Sequence, residues 1–162
     1  QESQFKLKAK SVRGARGLMQ LMPRTAAAMG RDRRLKRGKG RDALFNPKIN
    51  LKLGSKYLSH LMYDRNGVKN LFKTLAAYNA GPGKLGRWEL KINYQNDPLM
   101  FMESIPSPET RNFIEQVFLG LWIYRFRLDE PAPTLKQLAE GNWPQYKSVS
   151  GKIIEGFSNA RN

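Results

Sequence analysis

The stretch Ser11-Val12-Arg13-Gly14-Ala15-Arg16-Gly17-Leu18-Met19-Gln20-Leu21-Met22-Pro23, shortly after the opening Gln1-Glu2-Ser3-Gln4-Phe5, decides how this chain is read. Small residues open it, apolar side chains broken by one glutamine follow, and Pro23 closes it. From Ala15 to Met29 the spacing predicts a helix interrupted or kinked at Pro23, where the missing N–H and the ring break the hydrogen-bond ladder. Two more blocks follow in order. One is Ala77-Tyr78-Asn79-Ala80-Gly81-Pro82-Gly83. The other is Glu103-Ser104-Ile105-Pro106 with Glu109-Thr110-Arg111.

Working outward, apolar spacing is helical nearly everywhere, and no stretch sustains the alternation of a half-buried strand. The fold class is all-α. Asn46-Pro47 reads as a helix start, a capping side chain before a first-turn proline. Beyond it Ile49, Leu53, Tyr57 and Leu61 recur every four residues, Gly54 leaves room for a close neighbour, and Asn66-Gly67 ends the helix. Val68 to Asn79 and Lys84 to Lys91 read as two more helices. Ser107-Pro108-Glu109 starts the longest apolar one, whose wide apolar arc (Phe113, Ile114, Val117, Phe118, Leu121, Trp122) suits the centre of an all-α domain. Thr134 to Glu140 is a short helix stopped by Gly141, and Trp143-Pro144-Gln145-Tyr146 is expected to pack back on the domain, with fraying beyond Lys147.

With 162 residues, one domain with a proper core is expected. There is no cysteine, so neither a disulfide framework nor a thiolate metal site is available. The lone His60 has no G-x-S-x-G elbow to serve. The most apolar stretch, Val117 to Tyr124, falls short of the roughly 20 residues of a membrane span. Twenty-nine basic against 13 acidic residues leave a net charge of +16. Such a surplus favours anionic polymers or membrane surfaces. It concentrates in Gly30 to Arg41 (Arg31, Arg33, Arg34, Lys36, Arg37, Lys39, Arg41), which reads as a mobile loop unable to bury a face.

The three ordered blocks, spanning residues 1 to 128, resemble the soluble lytic transglycosylases with a goose-type-lysozyme-like catalytic domain. The resemblance implies a lysozyme-like fold with residues 1–128 as the catalytic domain, residues 129–162 as an extension packed on it, and a groove between the Glu2 and Tyr78 blocks. It also implies cleavage of the β-1,4 bond between N-acetylmuramic acid and N-acetylglucosamine in peptidoglycan, with no metal and no organic cofactor. In that family one glutamate serves as acid and then base, here Glu2. The substrate's N-acetyl group replaces the second carboxylate of most glycosidases, and the 6-hydroxyl of the muramyl residue attacks the anomeric carbon, leaving a 1,6-anhydro end. The acid must stay protonated near neutral pH, so its site must be apolar, and Phe5, Met19, Leu21 and Met22 suit that lining.

Ser11, Gln20, Met22, Tyr78, Asn79, Ala80 and Phe113 match family positions at the glycan. Ser11 stands equally well as a turn or cap serine, Met22 as core packing, and Asn79 as part of a helix C-cap. Gln20, polar among apolar neighbours, needs a partner if buried, and a sugar hydroxyl or amide could be one. Glu109 and Arg111 read as holding the start of their helix and nearby loops. The chain departs from the family with Ser107 where an aromatic is usual, with Phe113 where a tyrosine is frequent, and with its basic insert. The helix that normally runs into the Glu-Ser pair is missing, and no signal peptide precedes Glu2. Both suggest a truncated piece of a longer secreted, periplasmic or cell-envelope protein, less active than its parent.

Three rival readings remain. A goose-type-lysozyme-like hydrolase would need a second carboxylate to position water, and none is obvious. An inactive peptidoglycan-binding domain would keep the fold and lose turnover. A basic nucleic-acid module built on Arg31 to Arg41 with Trp88 and Tyr94 lacks any helix-turn-helix, zinc or aromatic-sheet signature. A monomer acting on peptidoglycan strands, held to the anionic wall or membrane by the basic run, is the expectation.

Overall fold

Proline opens six of the seven α-helices among the described residues. At the first helical position its missing N–H costs nothing and its fixed φ is already helical. The computed structural model describes residues 5–63 and 70–146. The expected helix end at Asn66-Gly67 and the fraying beyond Lys147 lie outside them. The helices are α1 (Pro23–Gly30), α2 (Pro47–Tyr63), α3 (Leu71–Ala80), α4 (Pro82–Lys91), α5 (Pro98–Ser104), α6 (Pro108–Arg127) and α7 (Pro133–Ala139). Two compact units divide the chain, residues 1–60 and 61–162.

In the first unit the expected helix from Ala15 begins only at Pro23. Residues 15–22 instead fold as a tight loop, with antiparallel bridges from Lys10 to Arg16 and from Arg16 to Leu21. Gly14 and Gly17 have φ of 88° and 74°, and Gln20 has 43°, all in the left-handed region that an α-helix cannot contain. A Cβ at Gly17 would fall on the Leu44 carbonyl oxygen and the Asn50 side chain. Glycine is therefore required there twice over, by its φ and by the close approach.

The basic run departs from expectation as well. It forms two 3₁₀ segments, Arg33–Lys36 and Gly38–Phe45, with Leu35 buried. Asp32 caps the first by accepting the Arg34 backbone N–H at 2.9 Å. One apolar side chain and one cap suffice to seat a segment that composition alone marks as unable to pack.

The α2 start is as read from sequence, with Asn46 Oδ1 accepting the Lys48 N–H at 3.0 Å. Gly54 does admit a neighbour, since a Cβ there would strike the Met19 side chain. Ala15, Leu21, Ala26, Ala27, Leu35, Leu44 and Leu53 form the buried apolar set of this unit among the described residues.

The second unit packs α3, α5 and α6 around Phe72, Phe101, Ile105, Ile114 and Phe118. Phe72 meets Phe118 edge-on at 4.8 Å between ring centroids. Asn70 caps α3, Asp97 caps α5 and Ser107 caps α6, each accepting a backbone N–H three residues on. The seven-residue α5 carries too few turns to show a period in sequence. α6 is central only along one face, because Leu119, Ile123, Tyr124 and Phe126 on the others are exposed.

After α6, residues up to Tyr146 make these contacts within the second unit. Trp122 Nε1 donates to Thr134 Oγ1 at 3.0 Å, Gly141 leaves α7 at a φ of 72°, and the Leu71 N–H donates to the Pro144 carbonyl at 2.8 Å. Trp143 lies edge-on to Tyr94 and Phe101.

Candidate functional site

Glu2 lies outside the described residues. The loop that follows it in sequence, within the first unit, is held by Asn50. This α2 side chain is fully buried. Its Oδ1 accepts the Met19 N–H at 2.7 Å, and its Nδ2 donates to the Arg16 and Leu44 carbonyls at 2.8 Å each. Arg16 reinforces the loop, with its guanidinium 2.7 Å from Asp42 and over the Phe45 ring.

On this frame Ser11 acts as a turn serine, its Oγ accepting the Ala15 N–H at 3.0 Å. Gln20 finds partners in its own backbone surroundings, its Nε2 donating to the Gly17 carbonyl at 2.8 Å and the Ala9 carbonyl at 3.1 Å. Met22 is 42% exposed, which sets it outside the core. Of the other expected lining residues, Leu21 is buried and Phe5 is largely exposed.

In the second unit Tyr78, Asn79 and Ala80 form the last turn of α3, each partly exposed, before Gly81 leaves at a φ of 94°. Phe113 of α6 is buried, and its ring lies nearly parallel to Tyr78 at 13° and 6.5 Å. Asn79 Oδ1 accepts the hydroxyl proton of Thr110 at 2.7 Å. Three of the candidate residues, Tyr78, Asn79 and Phe113, are thus brought together by α3 and α6, with Ala80 beside them in the chain. The Arg111 guanidinium donates to the Ile105 carbonyl, the loop-holding role read for it from sequence.

Sequence reasoning quoted Glu-Thr-Arg but gave Thr110 no role. Its signal was the position itself, one turn into a helix whose cap is Ser107. Among the described residues no group of three or more His, Asp or Glu side chains is placed to hold a metal. No described helix is long and apolar enough to cross a membrane.

Known proteins resemble the chain in sequence and in fold. The family model described as Transglycosylase SLT domain matches residues 1–100. The soluble lytic murein transglycosylase of Escherichia coli K12 is 36% identical over 140 residues, which cover 86% of this chain and 21% of that protein. The 70 kDa soluble lytic transglycosylase of Escherichia coli superposes with a TM-score of 0.72 at 32% identity, covering 90% of this chain and 23% of that one. An inactive mutant of the lytic transglycosylase Slt from Pseudomonas aeruginosa gives 0.68 at 36%, covering 82% and 21%. The fold is the all-α fold of the lytic transglycosylases. The chain belongs to the Transglycosylase SLT domain family, and it spans about a fifth of the length of these relatives.

Proposed function

We propose that this chain is the catalytic portion of a peptidoglycan lytic transglycosylase. The observation that carries the reading is the family match over residues 1–100, which contains Glu2, the Ser11–Pro23 loop and the Tyr78-Asn79-Ala80 turn. Glu2 protonates the glycosidic oxygen as the bond to the anomeric carbon breaks. The substrate's N-acetyl oxygen stabilises the positive charge at that carbon. Glu2, now ionised, takes the proton of the muramyl 6-hydroxyl as its oxygen closes on the same carbon. The products are a 1,6-anhydromuramyl end and a free N-acetylglucosamine hydroxyl, with no water consumed. With the N-acetyl group in place of the second carboxylate, one residue that gives and then recovers a proton suffices.

Ser11, Gln20, Met22, Tyr78, Asn79, Ala80 and Phe113 are the proposed glycan-facing positions. Met22 and Tyr78 offer apolar surface to sugar faces, and Asn79 offers an amide. Phe113 acts through the Tyr78 ring that it backs. The cell envelope is the proposed location, in the periplasm or otherwise secreted, and the protein works as a monomer on glycan strands.

A second proposed role belongs to the basic run. Residues 1–60 carry sixteen Lys and Arg against three Asp and Glu, so thirteen of the sixteen net charges lie there. Arg31, Arg33, Arg34, Lys36, Arg37, Lys39 and Arg41 are exposed, and among the described residues Arg34 pairs with Asp32 at 2.9 Å. Presented on and beside two 3₁₀ segments, these charges suit attachment to the anionic wall or membrane surface.

Mass spectrometry of purified peptidoglycan digested with this chain tests the reading. Anhydromuramyl ends are expected. Reducing ends would make the chain a hydrolase, and no cleavage would leave a binding domain.

A further inference from the structure

Three side chains join the last turn of α3 to the first turn of α6. Thr110 Oγ1 lies 2.7 Å from Asn79 Oδ1 and 3.0 Å from Ser107 Oγ. A hydroxyl has one proton to give, and an amide oxygen can only accept. Thr110 therefore spends its proton on Asn79, at a length ordinary for O–H···O and short for N–H···O. The contact with Ser107 then runs the other way, from the Ser107 hydroxyl to Thr110 Oγ1. Ser107 Oγ still accepts the Thr110 backbone N–H at 3.3 Å as the cap of α6. Thr110 is 1% exposed, so water does not compete for its hydroxyl.

This chain of donors leaves one group over. Asn79 Nδ2 makes no hydrogen bond among the described residues and is not a buried unpartnered atom, so it reaches the surface. We propose that Ser107 and Thr110 are positioning residues that lock the Asn79 carboxamide with its N–H₂ outward, making it a dedicated donor to an acceptor oxygen of an N-acetylated amino sugar. The proposal rests on the reading that Asn79 faces the glycan. An outward N–H₂ favours a carbonyl or hydroxyl oxygen and offers nothing to an N–H group. Ser107, the departure from the family's usual aromatic, becomes the first donor of the relay.

The test titrates the full chain with tri-N-acetylchitotriose and follows the nitrogen-15 signals of the Asn79 side-chain amide. Asn79→Ala and Thr110→Val should each weaken binding about two- to tenfold, the worth of one net hydrogen bond. Thr110→Ser should restore it, and Thr110→Val should add nothing once Asn79 is alanine. In the wild type the Asn79 N–H₂ protons should exchange freely and shift on adding the saccharide. Additive losses in the double variant, or N–H₂ protons already protected in the free protein, would overturn this proposal alone. Unchanged binding in Asn79→Ala would overturn the glycan-facing reading and the proposal together.

Discussion

The Asn50 carboxamide oxygen lies 2.7 Å from the Met19 backbone N–H, so a residue of α2 fixes the loop that carries Gln20 and Met22. Its amide nitrogen holds the Arg16 and Leu44 carbonyls at the same time. Three backbone groups depend on one fully buried side chain. Asn50→Leu keeps the volume and strands all three. Each buried unpaired group costs roughly 1–3 kcal/mol, so a loss of at least about 3 kcal/mol is expected. Urea unfolding would measure it, and a loss under about 1 kcal/mol would mean that water replaces the amide. Gly17→Ala, which puts a Cβ against the same amide at a φ of 74°, should be similarly damaging.

Lys73 of α3 gives a prediction in pH. Its ammonium is 2.9 Å from Glu89 and sits over the Trp143, Tyr94 and Phe101 rings at 4.9, 5.2 and 5.6 Å. Burial disfavours the charge, but the bonds to Glu89 and Tyr94 outweigh it, and the pKa is raised above its ordinary 10.5. A group whose pKa is higher folded than unfolded stabilises fully below the unfolded value. The contribution disappears as pH climbs through the folded one. Stability should therefore hold up to about pH 10 and fall in the range above 10.5. Lys73→Met fills the cage without charge and should remove that alkaline dependence. An unchanged alkaline limb in this variant would count against the cage as its source.

These two residues mark what the sequence could and could not convey. Helix starts were legible at Asn46-Pro47 and Ser107-Pro108 because cap and proline act locally, and the structure has both. The loop at 15–22 was not, because its apolar residues sit at helical spacing while Asn50, about thirty residues away, decides its path. The basic run misled for a related reason: Leu35 finds a core that composition does not reveal. Tyr78, Asn79 and Phe113 were named as candidates only through the family resemblance that the ordered blocks carry. The Thr110 relay needs two helices packed together before it exists at all.

The basic run should provide attachment without taking part in catalysis. Its exposed charges act through screened attraction that fades beyond about 8–10 Å at physiological salt. Neutralising Arg33, Lys36, Arg37 and Lys39 should weaken co-sedimentation with whole wall, most strongly at low salt, and leave cleavage of short soluble glycans unchanged. Arg34 is the poorer choice, since Asp32 already faces it. Equal losses on both substrates would put the run at the glycan instead.

Glu2→Gln should abolish most turnover while glycan binding persists. The carboxylates of the described residues offer few substitutes. Asp32, Asp42, Glu89, Glu130 and Glu140 face Arg34, Arg16, Lys73, Arg125 and Lys136 within 4.0 Å, and Asp97 is engaged as the cap of α5. Glu103 and Glu109 belong to the third motif block, and both are exposed, as are Glu115 and Asp129. A positioned acid-base group contributes about 10²–10⁴-fold in rate. Since Glu2 is asked to act in both steps, the amide variant should lose at least about 10²-fold in kcat, with the affinity for tri-N-acetylchitotriose unchanged. Near-normal kcat in Glu2→Gln would sink the single-glutamate mechanism, and Glu103→Gln and Glu109→Gln would then be the variants to measure.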